Sequence, residues 1–367
     1  MKQGLDGQSY FLTSTVCRRY IMISVIIPTF NAGDNIRGIF EALGKSALKD
    51  LEIIVIDSSS TDGTAAEARR PGARVKVIPR EQFDHGGTRT LAGKLARGDF
   101  LVYLTQDAVP AGPDALRNLL APFGKDEKIV AVYGRQIPNA NANAFAAHLR
   151  FFIYPEEGSV KELCDRGRFG IKTPFLSDSF VAYRKSALEA VGWFGQKLIC
   201  SEDLHAGAKF LLAGHKLAYA ASAAVYHSHN YTAIEEARRY FDLGVFHKRE
   251  AWILKEFGGA GGEGKKYIVS GLRYLARTGQ SRLVPAFLMR NALKYLFYNL
   301  GLIHEKLPVF AVRRLGMNRI WWEKKGKRVE TAQPRPKHAF RHSLLPNRKK
   351  IPSYPFSRHR AREKIKI

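Results

Sequence analysis

The chain has 367 residues, 45% of them hydrophobic, with 59 Lys or Arg against 33 Asp or Glu, a net charge of +26. That length allows a sizeable core and about two domains, and so strong a positive charge calls for an anionic partner: nucleic acid, anionic lipid or a phosphorylated substrate. Three scattered cysteines, Cys17, Cys164 and Cys200, with no CxxC spacing, exclude a disulfide framework and a zinc site and suit a reducing cytosol.

Residues 1–21 are polar and mixed, carry no signal-peptide pattern, and read as an extension or an upstream start site. Residues 23–28 are a β-branched run typical of a parallel strand, and Asn31 to Asp34 can cap a helix over 34–47. Residues 51–56 are a second strand, followed by the turn SSSTDGT and a helix at 64–70. A third strand at 75–78, a glycine-started helix at 86–98, a fourth strand at 100–104, a short helix at 113–122 and a fifth strand at 129–133 follow. This βα alternation predicts an α/β fold with a mostly parallel, Rossmann-like sheet flanked by helices. Residues 138–175 are irregular, 179–183 and 217–226 strand-like, and 184–191 and 202–213 helical. Residues 232–320 are mostly helical, interrupted by GGAGGEG.

No run reaches the roughly 20 apolar residues of a membrane span. The nearest, 283–303, is interrupted by Arg290 and Lys294, four apart and so on one face. It reads as an amphipathic helix, packed on the body or lying on a membrane surface. Residues 331–367 hold eleven Lys or Arg against one acid, a net +10, and read as a disordered basic tail suited to an anionic membrane surface or to solvent.

Ligands of open α/β sheets bind beyond the carboxyl ends of strands, which singles out the carboxylates there. Asp57, ending the second strand, can accept from a base N–H or a ribose hydroxyl, or close an Asx-turn; Asp62 reads as a helix cap. Asp107 follows the fourth strand and suits a hard divalent cation, Mg²⁺ or Mn²⁺. Glu202 and Asp203 open a helix, where one could be a general base and the other its orienting neighbour. His227 and His229 follow a strand; period-2 alternation lets one of them enter a site, and His227 could join Asp107 on the metal. In FDHGGTRT, free N–H groups at a helix start and Arg89 suit phosphate oxygens, the alternative being an ordinary glycine turn. Neither GxGxxG nor GxxxxGK[ST] is present, so dinucleotide and ATP phosphates are not indicated.

In this order SVIIPTFNAGDNI, IIVIDSSSTDGT, TQDAVP and SEDL resemble the family-2 inverting glycosyltransferases of the GT-A fold, over residues 22–232. The resemblance implies that Asp57 contacts the base and that Pro28, Thr29 and Asn31 line the nucleotide pocket. It sets Arg89 near the diphosphate and makes Asp203 the base with Glu202 beside it. Ser58 replaces a frequent second Asp. The family's DxD metal motif aligns with Thr105, Gln106 and Asp107, which puts Gln106 in the nucleotide-sugar site and leaves Asp107, with His227, for a divalent metal. FDHGGTRT, TQDAVP and VYHSHNYT are most similar to bacterial rhamnosyltransferases. They imply a dTDP-rhamnose donor and a saccharide or undecaprenyl-diphosphate-linked acceptor at the inner face of the cell membrane, in O-antigen or surface polysaccharide synthesis. A helical region at 233–330 would follow the GT-A domain. Rival readings are another nucleotide-sugar donor (UDP- or GDP-linked), a non-catalytic homologue, and a nucleic-acid-binding basic protein. The last lacks a helix-turn-helix, zinc or RNA-recognition signature.

Overall fold

The computed structural model describes residues 22–69, 71–259 and 262–323. The chain divides into two units, 1–326 and 327–367, and every described residue belongs to the first. The extension at 1–21 and the basic tail at 331–367 lie outside the described residues.

Nine strands are found among them: β1 Ile23–Thr29, β2 Glu52–Asp57, β3 Arg74–Val77, β4 Phe100–Leu104, β5 Val109–Pro110, β6 Ile129–Ile137, β7 Ser159–Lys161, β8 Phe180–Arg184 and β9 Lys216–Tyr226. They form one sheet in the order β3-β2-β1-β4-β8-β6-β9-β5, with β7 also paired to β9. Strands β1 to β4 are mutually parallel, β8 runs antiparallel between β4 and β6, and β6 and β9 are parallel again. The sheet is therefore parallel in its first half and mixed in its second. The helices are α1 Gly33–Gly44, α2 Thr64–Arg69, α3 His85–Leu95, α4 Ala115–Leu120, α5 Ala144–Ile153, the single turn α6 Arg166–Phe169, α7 Lys185–Ala190, α8 Glu202–Leu212, α9 Ala233–Arg249, α10 Ala251–Phe257, α11 Glu263–Arg277, α12 Val284–Leu302 and α13 Val309–Leu315.

Alternate residues of a strand face opposite ways, and here both faces are buried. Val25, Ile27, Val55 and Val102 meet Ile36 and Ile39 of α1 and Leu116 and Leu119 of α4 on one face. Ile26, Ile54, Leu101 and Tyr103 meet α3, α8 and α9 on the other. The helices beyond residue 232 join that second core: Phe241, Phe246, Ile253 and Phe297 cluster with Tyr183 and Phe210. Helices α9 and α12 approach closely through a reciprocal glycine pair. A β-carbon on Gly244 would lie 2.2 Å from the Tyr298 carbonyl oxygen, and one on Gly301 2.2 Å from that of Phe241. Within 138–175, read above as irregular, Asn143 caps α5 by accepting from the Phe145 and Ala146 amides.

The amino-terminal edge of the parallel half is tied by one buried carboxylate. Glu52 accepts from Ser24 Oγ on β1 (2.6 Å), Arg74 Nη1 on β3 (2.7 Å), and the backbone N and Nε of Arg97 (2.8 and 3.0 Å). Burial opposes its charge, but these donors outweigh burial and lower its pKa from 4.5 to about 2. A depressed carboxylate pKa contributes stability above the unfolded value and loses it as pH falls through the folded one. Glu52→Gln should therefore cost about 2–3 kcal/mol at neutral pH and flatten the decline in stability between about pH 5 and pH 2. Urea unfolding across that range measures both effects.

Candidate active site

The carboxyl ends of β1 and β2 are locked together by side chains. Thr29 and Asp57 are register partners, and Thr29 Oγ1 donates to Asp57 Oδ1 at 3.0 Å. The Ser60 amide and hydroxyl donate to the same carboxylate at 2.9 and 2.5 Å, and Asp57 is 1% exposed. Asp57 thus closes the turn after β2, and reaching a base would require the Ser60 hydroxyl to turn away. Asn31, in the left-handed region at φ 46°, donates its amide to Ser60 Oγ and accepts from the Thr61 amide. Ser58 is buried with its hydroxyl unpartnered among the described residues. Pro28 is half-buried beside Ile56. Asp62 caps α2 through the Thr64 amide. Gln106 acts as a clasp: its Oε1 accepts from the Phe30 amide at 2.7 Å and its Nε2 donates to the Phe30 carbonyl at 3.1 Å. An amide can do both and a carboxylate cannot. Arg80 lies 3.2 Å from the centroid of the Phe30 ring.

Asp107, just beyond β4, faces the residues that leave β9. His227 Nε2 lies 3.3 Å from Asp107 Oδ1 and His229 Nε2 lies 3.5 Å from Oδ2. The expectation that admitted only one histidine is corrected here: residues two apart share a face under period 2, and both rings reach Asp107. Gln136 on β6 donates to Ser177 Oγ and accepts from His227 Nδ1 at 2.8 Å. This leaves Nε2 as the ring nitrogen that faces the Asp107 carboxylate. A histidine with one ring nitrogen held by a hydrogen bond and the other beside a carboxylate is what a metal-ligand set looks like. The three ligand atoms lie within 4.8 Å of one another. One carboxylate oxygen and two imidazoles suit Mn²⁺ better than Mg²⁺, which prefers oxygen throughout.

The third group centres on Arg89 of α3, whose side chain is 7% exposed. Its Nε lies 2.9 Å from Asp178 Oδ2 and its Nη1 3.0 Å from Glu202 Oε1. A guanidinium so committed is not directed at a phosphate, which corrects the expectation for Arg89. The phosphate reading of the α3 start is corrected with it. The Gly87 amide is taken by Asp84 at 2.6 Å, and Gly86 is glycine because a β-carbon there would lie 1.9 Å from the Gly195 carbonyl oxygen. Asp84 also accepts from the Lys197 amide, joining α3 to the loop before α8.

Asp178, which precedes β8, was not anticipated. A lone acid in FLSDSF carries no motif, and an acid entering a strand was its one available signal. It accepts from Tyr183 Oη at 2.6 Å, and its amide donates to Asp203 Oδ2 at 3.2 Å. Burial pushes the Asp178 pKa well up despite Arg89, and Asp203 and Glu202 add to the rise. Burial also opposes charge on Glu202, but Arg89 and then His85, 3.9 Å away, outweigh it and lower that pKa. Asp203 is raised to about 6 by burial and by the charge of Glu202 beside it. The trio thus sorts into one carboxyl raised mainly by burial, one held low by its ion pair, and one raised to about 6.

Arg150 on α5 and Arg239 on α9 were also not anticipated. Neither has an ion pair among the described residues, and both sense the site: Asp107 acts on Arg150, and Asp203 on Arg239.

The model of the family Glycosyl transferase family 2 matches residues 24–192. The chain is 41% identical over 302 residues, 82% of its length and 96% of the relative, to the O-antigen chain rhamnosyltransferase RfbN of Salmonella typhimurium. It is likewise 41% identical over 301 residues, 82% of its length and 95% of the relative, to the O-antigen chain rhamnosyltransferase WbaN of Salmonella anatum. Among solved structures it resembles the mannosyltransferase PcManGT from Pyrobaculum calidifontis, determined with GDP-Man and Mn²⁺. The TM-score is 0.55 at 18% identity, covering 77% of this chain and 88% of that one.

Removing a buried ion-pair partner strands the other charge, typically at a cost of about 3–5 kcal/mol. Arg89→Met should lower stability by that much, which denaturant unfolding at neutral pH would show.

Proposed function

The chain belongs to glycosyltransferase family 2, and from that premise we propose that it transfers L-rhamnose, with inversion, from dTDP-rhamnose to a saccharide. The acceptor would be carried on undecaprenyl diphosphate at the inner face of the cell membrane, in surface polysaccharide synthesis. Likeness to two O-antigen chain rhamnosyltransferases along most of the chain supports the donor. The observation that carries the mechanism is the carboxyl of Asp203, held near pKa 6 beside the ion-paired Glu202.

In this reading the acceptor hydroxyl gives its proton to Asp203 while its oxygen attacks the anomeric carbon. The bond from that carbon to the diphosphate oxygen breaks on the opposite face, and dTDP departs with the electron pair. Glu202 is a positioning residue: its charge, fixed by Arg89, helps raise Asp203 into a useful range. Asp107, His227 and His229 would hold a divalent ion, which when bound neutralises charge on the departing diphosphate. Arg150 and Arg239, without ion pairs among the described residues, would share that neutralisation, the part first expected of Arg89. Thr29, Asn31, Asp57 and Gln106 would shape the nucleotide pocket, with Pro28 in its wall.

Donor identity is tested by thermal stabilisation. A ligand at a hundredfold excess over its Kd stabilises by about 2.7 kcal/mol. dTDP-rhamnose should raise the melting temperature where UDP-glucose and GDP-mannose do not. Mn²⁺ should enlarge the shift, and His229→Ala should remove the Mn²⁺-dependent part. A shift with UDP-glucose alone keeps the family and discards the donor.

Asp203→Asn should reduce kcat by about 10²–10⁴-fold with dTDP binding retained. Because its pKa is raised, Asp203 cannot accept a proton in acid. Thus kcat/KM should climb with pH through about 6 and level off above it. Near-normal turnover by the Asn variant would remove Asp203 from the mechanism.

A further inference from the structure

Helix α12 carries two charged residues, and both point inward. Arg290, with its side chain 14% exposed, pairs with Glu236 at 3.2 Å, donates to the Tyr231 carbonyl at 3.0 Å and covers the Phe145 ring. Lys294 is 6% exposed and sits 4.7 Å from the Tyr267 ring centroid. The solvent side of the helix is apolar instead. Leu288, Met289, Tyr295 and Leu296 lie on it, spaced to form one stripe, and Tyr295 is 75% exposed. Val309 and Phe310, where α13 begins, extend the apolar surface, Phe310 being 69% exposed. A helix facing water carries its charges outward, so this one has the polarity of a helix whose outer neighbour is not water.

The surroundings specify that neighbour. Residues 264–322 hold eleven Lys or Arg and a single acid, Glu305. Arg282, Lys306, Arg313 and Arg314 are exposed at the two ends of the stripe. No helix among the described residues is long and apolar enough to cross a membrane. An apolar stripe with cations at its margins, on a helix that cannot span, suits the boundary between headgroups and acyl chains of an anionic bilayer.

We propose that the α12 stripe and the start of α13 form a membrane-docking surface that lays the protein on a bilayer containing anionic lipid. This deepens the reading of a lipid-carried acceptor and rests on it for its purpose, whereas the surface itself follows from the inverted polarity of α12. Basic residues elsewhere would add electrostatic attraction that salt removes. The stripe would supply a component that salt does not remove, since apolar burial is not screened.

The test is flotation of the full chain with vesicles of phosphatidylglycerol and phosphatidylcholine, at low and high salt. The comparison is with a Leu288→Gln, Met289→Gln, Leu296→Gln triple variant. Wild type should remain partly bound at high salt, and the variant should lose that salt-resistant binding by about tenfold or more. An unchanged melting temperature and dTDP shift would verify the variant's fold. Transfer to a water-soluble acceptor should be unaffected. If neither protein turns over dTDP-rhamnose while vesicle binding differs as expected, the functional reading fails and the surface stands. Wild-type protein gives an independent measure: vesicles should protect Met289, Tyr295 and Phe310 from hydroxyl-radical oxidation. Equal binding by both proteins, absence of protection, or a stripe that proves to hold two copies together by light scattering would each overturn the proposal.

Discussion

A guanidinium removed from water must be surrounded by acceptors, and Arg89 obliges two separate parts of the chain to supply carboxylates. It projects from α3 between Asp178, which leads into β8, and Glu202, which opens α8. The Tyr103 hydroxyl on β4 donates to the Arg89 carbonyl as well. Neither carboxylate could stay buried without the arginine, nor the arginine without them. The antiparallel strand β8, the loop 192–200 and the start of α8 are thus fixed with respect to the parallel half of the sheet. The electrostatic order of the site follows. Since Arg89 favours charge on Glu202, Glu202 adds to burial in raising Asp203. A stabilising pair and a poised carboxyl are two outcomes of one burial event.

The parallel half of the sheet was legible because its signals are local. Apolar runs of strand length, each followed by a turn rich in Ser, Asp or Gly, mark β1, β2 and β4, and the residues at their carboxyl ends follow from chain direction alone. Asp107 and His227 could be paired in advance for that reason, and they lie 3.3 Å apart. What stayed hidden depends on where unrelated segments meet. His229 was set aside by a misapplied alternation rule, since residues two apart share a face, and the fold turns it to Asp107 beside His227. Asp178 belongs to no motif, and its partners, Arg89 and Tyr183, come from α3 and β8. Arg89 was recognisable as a charge near the site, but only the folded chain shows which groups claim it. Gln106 has the same lesson in reverse. Read as part of a nucleotide pocket, it also grips the Phe30 backbone, a task suited to an amide and closed to the acid that the metal motif would place nearby.

The two halves of the sheet divide the work. The parallel half ends in Thr29, Asn31, Asp57 and Gln106, whose hydrogen bonds run to one another and to Phe30, Ser60 and Thr61, so that these side chains hold one another's turns in place. Beyond the mixed half Asp107, His227 and His229 gather, and Arg150 on α5 and Arg239 on α9, without ion pairs among the described residues, act on His229 electrostatically. Such a division suits the nucleotide-diphosphate donor proposed above, which would need a shaped recess for base and sugar and unpaired cations for its phosphates.

The glycine pair at Gly244 and Gly301 has a consequence beyond close packing. With the backbones of α9 and α12 touching at these two points, α12 cannot roll about its own axis without driving one main chain into the other. Which residues it shows to the outside is therefore decided by sterics on the inside. The outward row could change its chemistry entirely, from oily to ionic, and the helix would still come to rest at the same angle. Evolution can thus revise what this flank of the molecule adheres to while leaving the catalytic half untouched.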